Sequence, residues 1–236
     1  MKLLLLLLNG AKLGKLLLTG GTMLLSVVAY AFVFGWRYAA GFVGLILVHE
    51  MGHYVAARRR GLDVGAPTFI PFVGAWIELK EQPRDAETEA YIGMAGPLAG
   101  SLGALACYYA ARATGSDLLL ALAYAGFFLN LFNLIPVSPF DGGRISAVIS
   151  PRLWLLGAPL LVGLFFWRPS PLLILMAILA APKVMEALRG FRSAEQQAYY
   201  LADAETRLSY AVLYLGLAGF LAVMCHELHA ELPRAF

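Results

Sequence analysis

The chain has 236 residues, of which 60% are apolar and 14% charged, against about 45–50% and about 25% in an ordinary soluble domain. Its charges stand in short islands between long apolar runs, which excludes a soluble fold, a disordered chain and a disulfide scaffold and predicts an all-α polytopic membrane protein. The net charge of +3 belongs to the loops of such a protein and does not point to nucleic acid.

In chain order, Met1–Leu8 joins one charge to six leucines without a small-residue cleavage site, and is predicted to be an interfacial leader into the first span. Clear spans are predicted at Leu16–Gly35, Tyr38–Ala57, Ala90–Ala111, Leu118–Pro136 and Leu208–Cys225. The stretch Leu153–Leu188 is interrupted by Pro159, Arg168, Pro169, Pro171 and Pro182, and reads as one span with a broken partner or as two short helices. The expected number of transmembrane helices is therefore six or seven. With a cytoplasmic N-terminus and seven crossings, 14 of the 18 Lys and Arg residues fall on the inner side and only Arg37, Arg112, Arg168 and Arg234 on the outer. The positive-inside rule favours that orientation. Cys107 and Cys225 lie in apolar segments and read as small buried hydrophobes.

The second span contains His49-Glu50-Met51-Gly52-His53. Two histidines four apart on a helix differ by about 40° of rotation and one turn of rise, so both imidazoles can reach one ion. Glu50 points about 100° away from His49, which suits a base acting on metal-bound water rather than a third ligand. An acid and two histidines inside an apolar helix are costly and by default functional, the alternative being a polar cluster that joins helices.

A catalytic zinc takes three protein ligands and keeps one position open. His226 and His229 are three apart at the far end of the last span, where an interfacial polar cap is the expected role. The third ligand is expected to be Asp141, after Asn133-x-x-Pro136-x-x-Pro139-x-Asp141-Gly142-Gly143-Arg144, where two prolines break the fourth span and paired glycines free the backbone to turn. An ordinary turn residue is the alternative for Asp141.

With these residues in place, the sequence resembles the site-2 proteases, intramembrane zinc metalloproteases. The resemblance rests on His49-Glu50-x-x-His53 and on Asn133-x-x-Pro136 with Asp141-Gly142, and extends from about Val43 to Arg144. Gly93-x-x-Gly96-Pro97-x-x-Gly100 looks like the family's glycine-rich span beside the site. The resemblance implies that His49, His53 and Asp141 bind one Zn²⁺, that Glu50 activates water, and that Asn133 holds the substrate or stabilises the developing oxyanion. From the residues alone, Asn133 could equally make a helix-to-helix hydrogen bond, and Asn130, one turn earlier, could share its duty. The expected form is a compact single domain over residues 1–236, with its core at 38–144, a leader and first span at 1–37 and C-terminal helices at 151–236, and with no PDZ or CBS module.

The linker from Gly61 to Glu89 is apolar in part but too short and proline-broken to span, and Ala75–Lys80 alternates like a strand. In the family this position resembles a re-entrant β-hairpin lying against the substrate, which makes Ala75, Trp76 and Ile77 candidate substrate-binding residues. An exposed strand edge can bind an extended peptide by β-augmentation, whereas the alternative is an interfacial loop anchored by Trp76. The expected function is an intramembrane zinc endopeptidase acting on single-span membrane proteins in the bilayer, its active site towards the cytoplasmic side. The alternative is a non-hydrolytic metal-binding transporter or scaffold, although a permeation site has no need of a non-ligand carboxylate between two ligands.

Overall fold

A computed structural model of the chain describes residues 2–77, 80–191 and 193–232, with the backbone alone for residues 2–16 and Trp76. The side chains of the expected leader therefore lie outside the described residues. The helices are α1 (Lys2–Phe34), α2 (Trp36–Arg59), α3 (Ala86–Thr114), α4 (Asp117–Asn133), α5 (Asp141–Ile149), α6 (Trp154–Trp167), α7 (Pro171–Arg189), α8 (Ala194–Tyr199) and α9 (Ala204–Glu231). A two-stranded hairpin, β1 (Thr68–Ile70) and β2 (Gly74–Trp76), lies between α2 and α3. The expected helical architecture, with a hairpin between the second and third helices, is what the chain adopts.

Among the described residues, α2, α3, α7, α9 and the Leu17–Phe34 part of α1 are long and apolar enough to cross a membrane. The segments Asp117–Asn133 and Pro151–Trp167 are shorter apolar helices. Phe32, Leu102, Phe166, Val212 and Leu215 are exposed on these helices, a surface suited to lipid and not to water. The protein is an integral membrane protein. The interrupted stretch Leu153–Leu188 resolves into α6 and α7, separated at Arg168-Pro169-Ser170, where Ser170 caps the new helix. Pro159 and Pro182 sit inside these helices instead of ending them, as membrane helices tolerate when neighbouring groups satisfy the freed backbone.

Local chemistry sets the helix ends. Asp85 accepts the Thr88 N–H at 2.7 Å to start α3. Gly115, with φ of 67°, ends α3 in the left-handed conformation that glycine adopts without strain. Ser116 caps α4 immediately afterwards, so α4 returns along α3. These two helices, with α5 and α9, enclose a core that includes Met94, Ala104, Phe127, Leu134, Ile145, Leu221 and Leu228.

In the hairpin Phe69 stands opposite Ala75 and is buried against Tyr30, Ala39, Val43 and Ile46. That burial sets the register, since a slip of one residue would turn Phe69 outward. The strand expected over Ala75–Lys80 is formed at Gly74–Trp76, while Glu78 and Leu79 lie outside the described residues. Two side chains of α1 hold the hairpin. The Phe69 N–H donates to Thr22 Oγ1 and the Phe72 N–H to the Tyr30 hydroxyl, both at 3.2 Å.

Candidate metal centre

His49 and His53 project from one face of α2 and are both buried. Asp141 is the first residue of α5 and is also buried. Its Oδ2 lies 3.1 Å from His49 Nε2 and 3.3 Å from His53 Nε2, and the two Nε2 atoms are 3.1 Å apart. Four ligands placed tetrahedrally at about 2.0–2.1 Å from a zinc ion stand about 3.3 Å from one another. The three distances therefore match one triangular face of such a site. Among the described residues no other set of His, Cys, Asp and Glu side chains converges in this way.

The hydrogen bonds explain why these atoms face one another. His53 Nδ1 lies 2.7 Å from the carbonyl oxygen of Ile92, which can only accept, so Nδ1 carries the proton and Nε2 presents a lone pair. In the neutral ring that lone pair faces a carboxylate oxygen and a second imidazole nitrogen, an arrangement that a proton or a metal cation between them relieves. His49 Nδ1 is 2.8 Å from Asn130 Oδ1. The far side of Asp141 faces Arg144, whose guanidinium is 3.9 Å from Oδ1 and 4.0 Å from Glu89 on α3. Oδ2 is thereby left towards the histidines.

Small residues let four helices meet at this point. Ile92, Gly96 and Gly100 recur four apart on α3, and a Cβ at Gly96 would overlap the His53 ring. A Cβ at Gly100 would overlap the Asn130 amide, and one at Gly52 would meet the Ala95 carbonyl. The paired glycines after Asp141 differ from expectation: they lie in the first turn of α5 and not in a bend. A Cβ on Gly142 would strike the Leu134 carbonyl, and one on Gly143 the Ser138 N–H. Their role is close approach, which seats the start of α5, and with it Asp141, against the chain leaving α4.

The remaining expected residues are distributed as follows. Glu50 is buried and makes no hydrogen bond or ion pair among the described residues. Asn133 is half-buried and its amide donates to Leu129 O of its own helix at 3.1 Å. Ala75 borders the apolar cluster that contains Val43 and Ile46, and Ile77 borders the cluster of Ala56, Ala57, Leu62, Val64 and Ile92. The hairpin's exit thus borders the cluster that includes Ile92, whose carbonyl oxygen lies 2.7 Å from His53 Nδ1. The side chain of Trp76 lies outside the described residues. His226 and His229 are exposed at the end of α9, where the His229 ring lies tilted against Tyr124, and neither reaches the cluster. The hydrogen-bond partners of His53 and His49, Ile92 O and Asn130, are not expected from the sequence, which offers Asn130 only as a residue sharing the duty of Asn133. A second asparagine in the apolar fourth span, one turn before Asn133, is the available signal for the second.

Residues 37–116, which contain the paired histidines, match the model of peptidase family M50. Rip3 of Mycobacterium tuberculosis is 33% identical over 141 residues, which cover 55% of this chain and 35% of Rip3. Zinc metalloprotease MJ0392 of Methanocaldococcus jannaschii is 32% identical over 117 residues, covering 47% of this chain and 33% of that protein. The chain thus spans about a third of the length of these curated relatives. The solved site-2 protease from Methanocaldococcus jannaschii superposes with a TM-score of 0.47 at 21% identity, covering 73% of this chain and 87% of that one. Asp141 lies beyond the matched segment, and it is the fold that carries it to the two histidines.

Proposed function

We propose that the protein is an intramembrane zinc endopeptidase that cleaves single-span membrane proteins within or near their transmembrane segments. The observation that carries this reading is the convergence of His49 Nε2, His53 Nε2 and Asp141 Oδ2 at separations of 3.1–3.3 Å, with Glu50, next in sequence to His49, buried and without a hydrogen-bond or ion-pair partner among the described residues. His49, His53 and Asp141 would hold the ion, which when bound makes water nucleophilic near neutral pH and polarises a carbonyl.

The chain's own groups divide the remaining work. Glu50 takes the proton of the attacking water and returns it to the leaving amine as the peptide C–N bond breaks. Asn133 donates to the developing oxyanion or to the substrate backbone once its amide leaves Leu129 O. A transmembrane helix hides its carbonyls in its own hydrogen bonds, so the substrate must be drawn out locally before it can react. The β2 edge at Ala75 and Trp76, continued by Ile77, would receive the extended peptide by strand addition, and the place of Ile77 beside the apolar cluster that contains Ile92 supports that placement. A cytoplasmic N-terminus with seven crossings sets 14 of 18 basic residues inside and puts the active site towards the cytoplasm.

The test is cleavage of a single-span substrate by purified protein in lipid vesicles, with the cut mapped by mass spectrometry. Cleavage within or near the span, lost on chelation and restored by zinc, is the expected result. Zinc flux across the vesicle without any cleavage would replace this reading with a transporter.

A further inference from the structure

Asn130 is 1% exposed in the apolar helix α4, and both ends of its amide are committed. Its Nδ2 donates to Gly126 O at 2.7 Å. A carbonyl can only accept, so this bond fixes which end of the amide is nitrogen and turns Oδ1 towards His49 Nδ1, 2.8 Å away. An amide oxygen likewise only accepts, and His49 Nδ1 must therefore carry the ring proton. Gly100 closes the other side, because a Cβ there would overlap Oδ1, Nδ2 and Cγ of the amide.

We infer that Asn130 is a positioning residue that selects the Nδ1-protonated tautomer of His49, so that its Nε2 lone pair is presented at the metal centre before any metal arrives. His53 obtains the same tautomer from a main-chain carbonyl, which mutation of a side chain cannot remove. His49 depends on a side chain from another helix, and Gly126, Gly100 and Asn130 form one device for it. The inference rests on the proposed metal site for its consequence, although the tautomer itself is a property of the metal-free protein. Removing a partner that orients a ligand histidine lowers metal affinity by about 10–100-fold.

The experiment has two readouts. The first is solid-state NMR of ¹⁵N-histidine-labelled, metal-free protein in bilayers, which reports the protonated ring nitrogen of His49. The second is zinc affinity by competition with a chromophoric chelator. Wild type should show a protonated Nδ1. Asn130→Leu should populate the other tautomer and lose affinity by about 10–100-fold. Asn130→Asp, whose neutral carboxyl can donate to Gly126 O and accept from His49, should restore both readouts where a merely structural role would not. A protonated Nε2 in metal-free wild type overturns the inference even if Asn130→Leu fails to fold. So does an Asn130→Leu variant with wild-type tautomer and affinity. If wild type shows the expected tautomer but binds no zinc, the proposed function fails while the assignment of Asn130 to the His49 tautomer stands.

Discussion

Replacing Gly96 by alanine tests whether helix packing, and not the ligands alone, shapes the metal centre. The added methyl would fall on Nε2, Cε1 and Cδ2 of His53, and ordinary contact at about 3.5–4.0 Å requires the ring or helix α3 to retreat by more than about 1 Å. The ring is not free to swing, since Nδ1 is held by Ile92 O at 2.7 Å and Nε2 lies 3.1 Å from that of His49. Metal–ligand distances are tolerant to only about 0.2 Å, so zinc affinity should fall by at least the 10–100-fold associated with a disturbed ligand partner. Overpacking costs about 1–3 kcal/mol and the gain in helix propensity is about 1 kcal/mol, which leaves a small net loss of stability. Gly44→Ala is the matched control, because a Cβ there meets nothing within 4 Å and only the propensity gain applies. Zinc competition and thermal unfolding of the two variants, purified in parallel, read both effects. Wild-type zinc affinity in Gly96→Ala would refute the packing argument.

Three further outcomes follow from particular contacts. Asp141→Ala should purify without stoichiometric zinc although its spans are intact, and unchanged zinc content measured by mass spectrometry would remove Asp141 from the ligand set. Tyr30→Phe takes away the acceptor of the Phe72 N–H, loosening the hairpin by about 0.5–1.5 kcal/mol; limited proteolysis should then cut the hairpin faster and KM should rise more than kcat falls. Arg207 donates to Ile149 O and Ala202 O, each at 3.0 Å, and to Tyr200 O at 3.4 Å. Arg207→Gln should therefore lower the melting temperature, each charged bond lost costing about 1.5–3 kcal/mol of stability, without changing zinc content.

Much of this centre could be read from the chain because its signals are local or chemically expensive. His49, Glu50 and His53 share one helical turn, and their cost in an apolar span marks them at once. Asp141 could be matched to them by depth alone, since the fourth span returns to their level. What stayed hidden depends on contacts between helices distant in sequence. The bond between His49 and Asn130 joins residues 81 apart. Gly96 and Gly100 could be seen as a small-residue face, but not that one accommodates a ligand ring and the other the amide that orients a ligand. Gly142 and Gly143 invited the reading of a bend, because nothing local distinguishes a glycine chosen for its backbone freedom from one chosen for lack of a side chain. Pro159 and Pro182 invited helix breaks, since their tolerance comes from neighbours that the sequence does not display.

The central claim is that this membrane protein hydrolyses peptide bonds with Glu50 as the proton-transferring base at a zinc held by His49, His53 and Asp141. The most direct test is to measure zinc content and cleavage together for wild type and Glu50→Gln in bilayers, against a single-span substrate. The account predicts equal, stoichiometric zinc in both proteins and cleavage by wild type alone. Undiminished cleavage by zinc-loaded Glu50→Gln protein would contradict it.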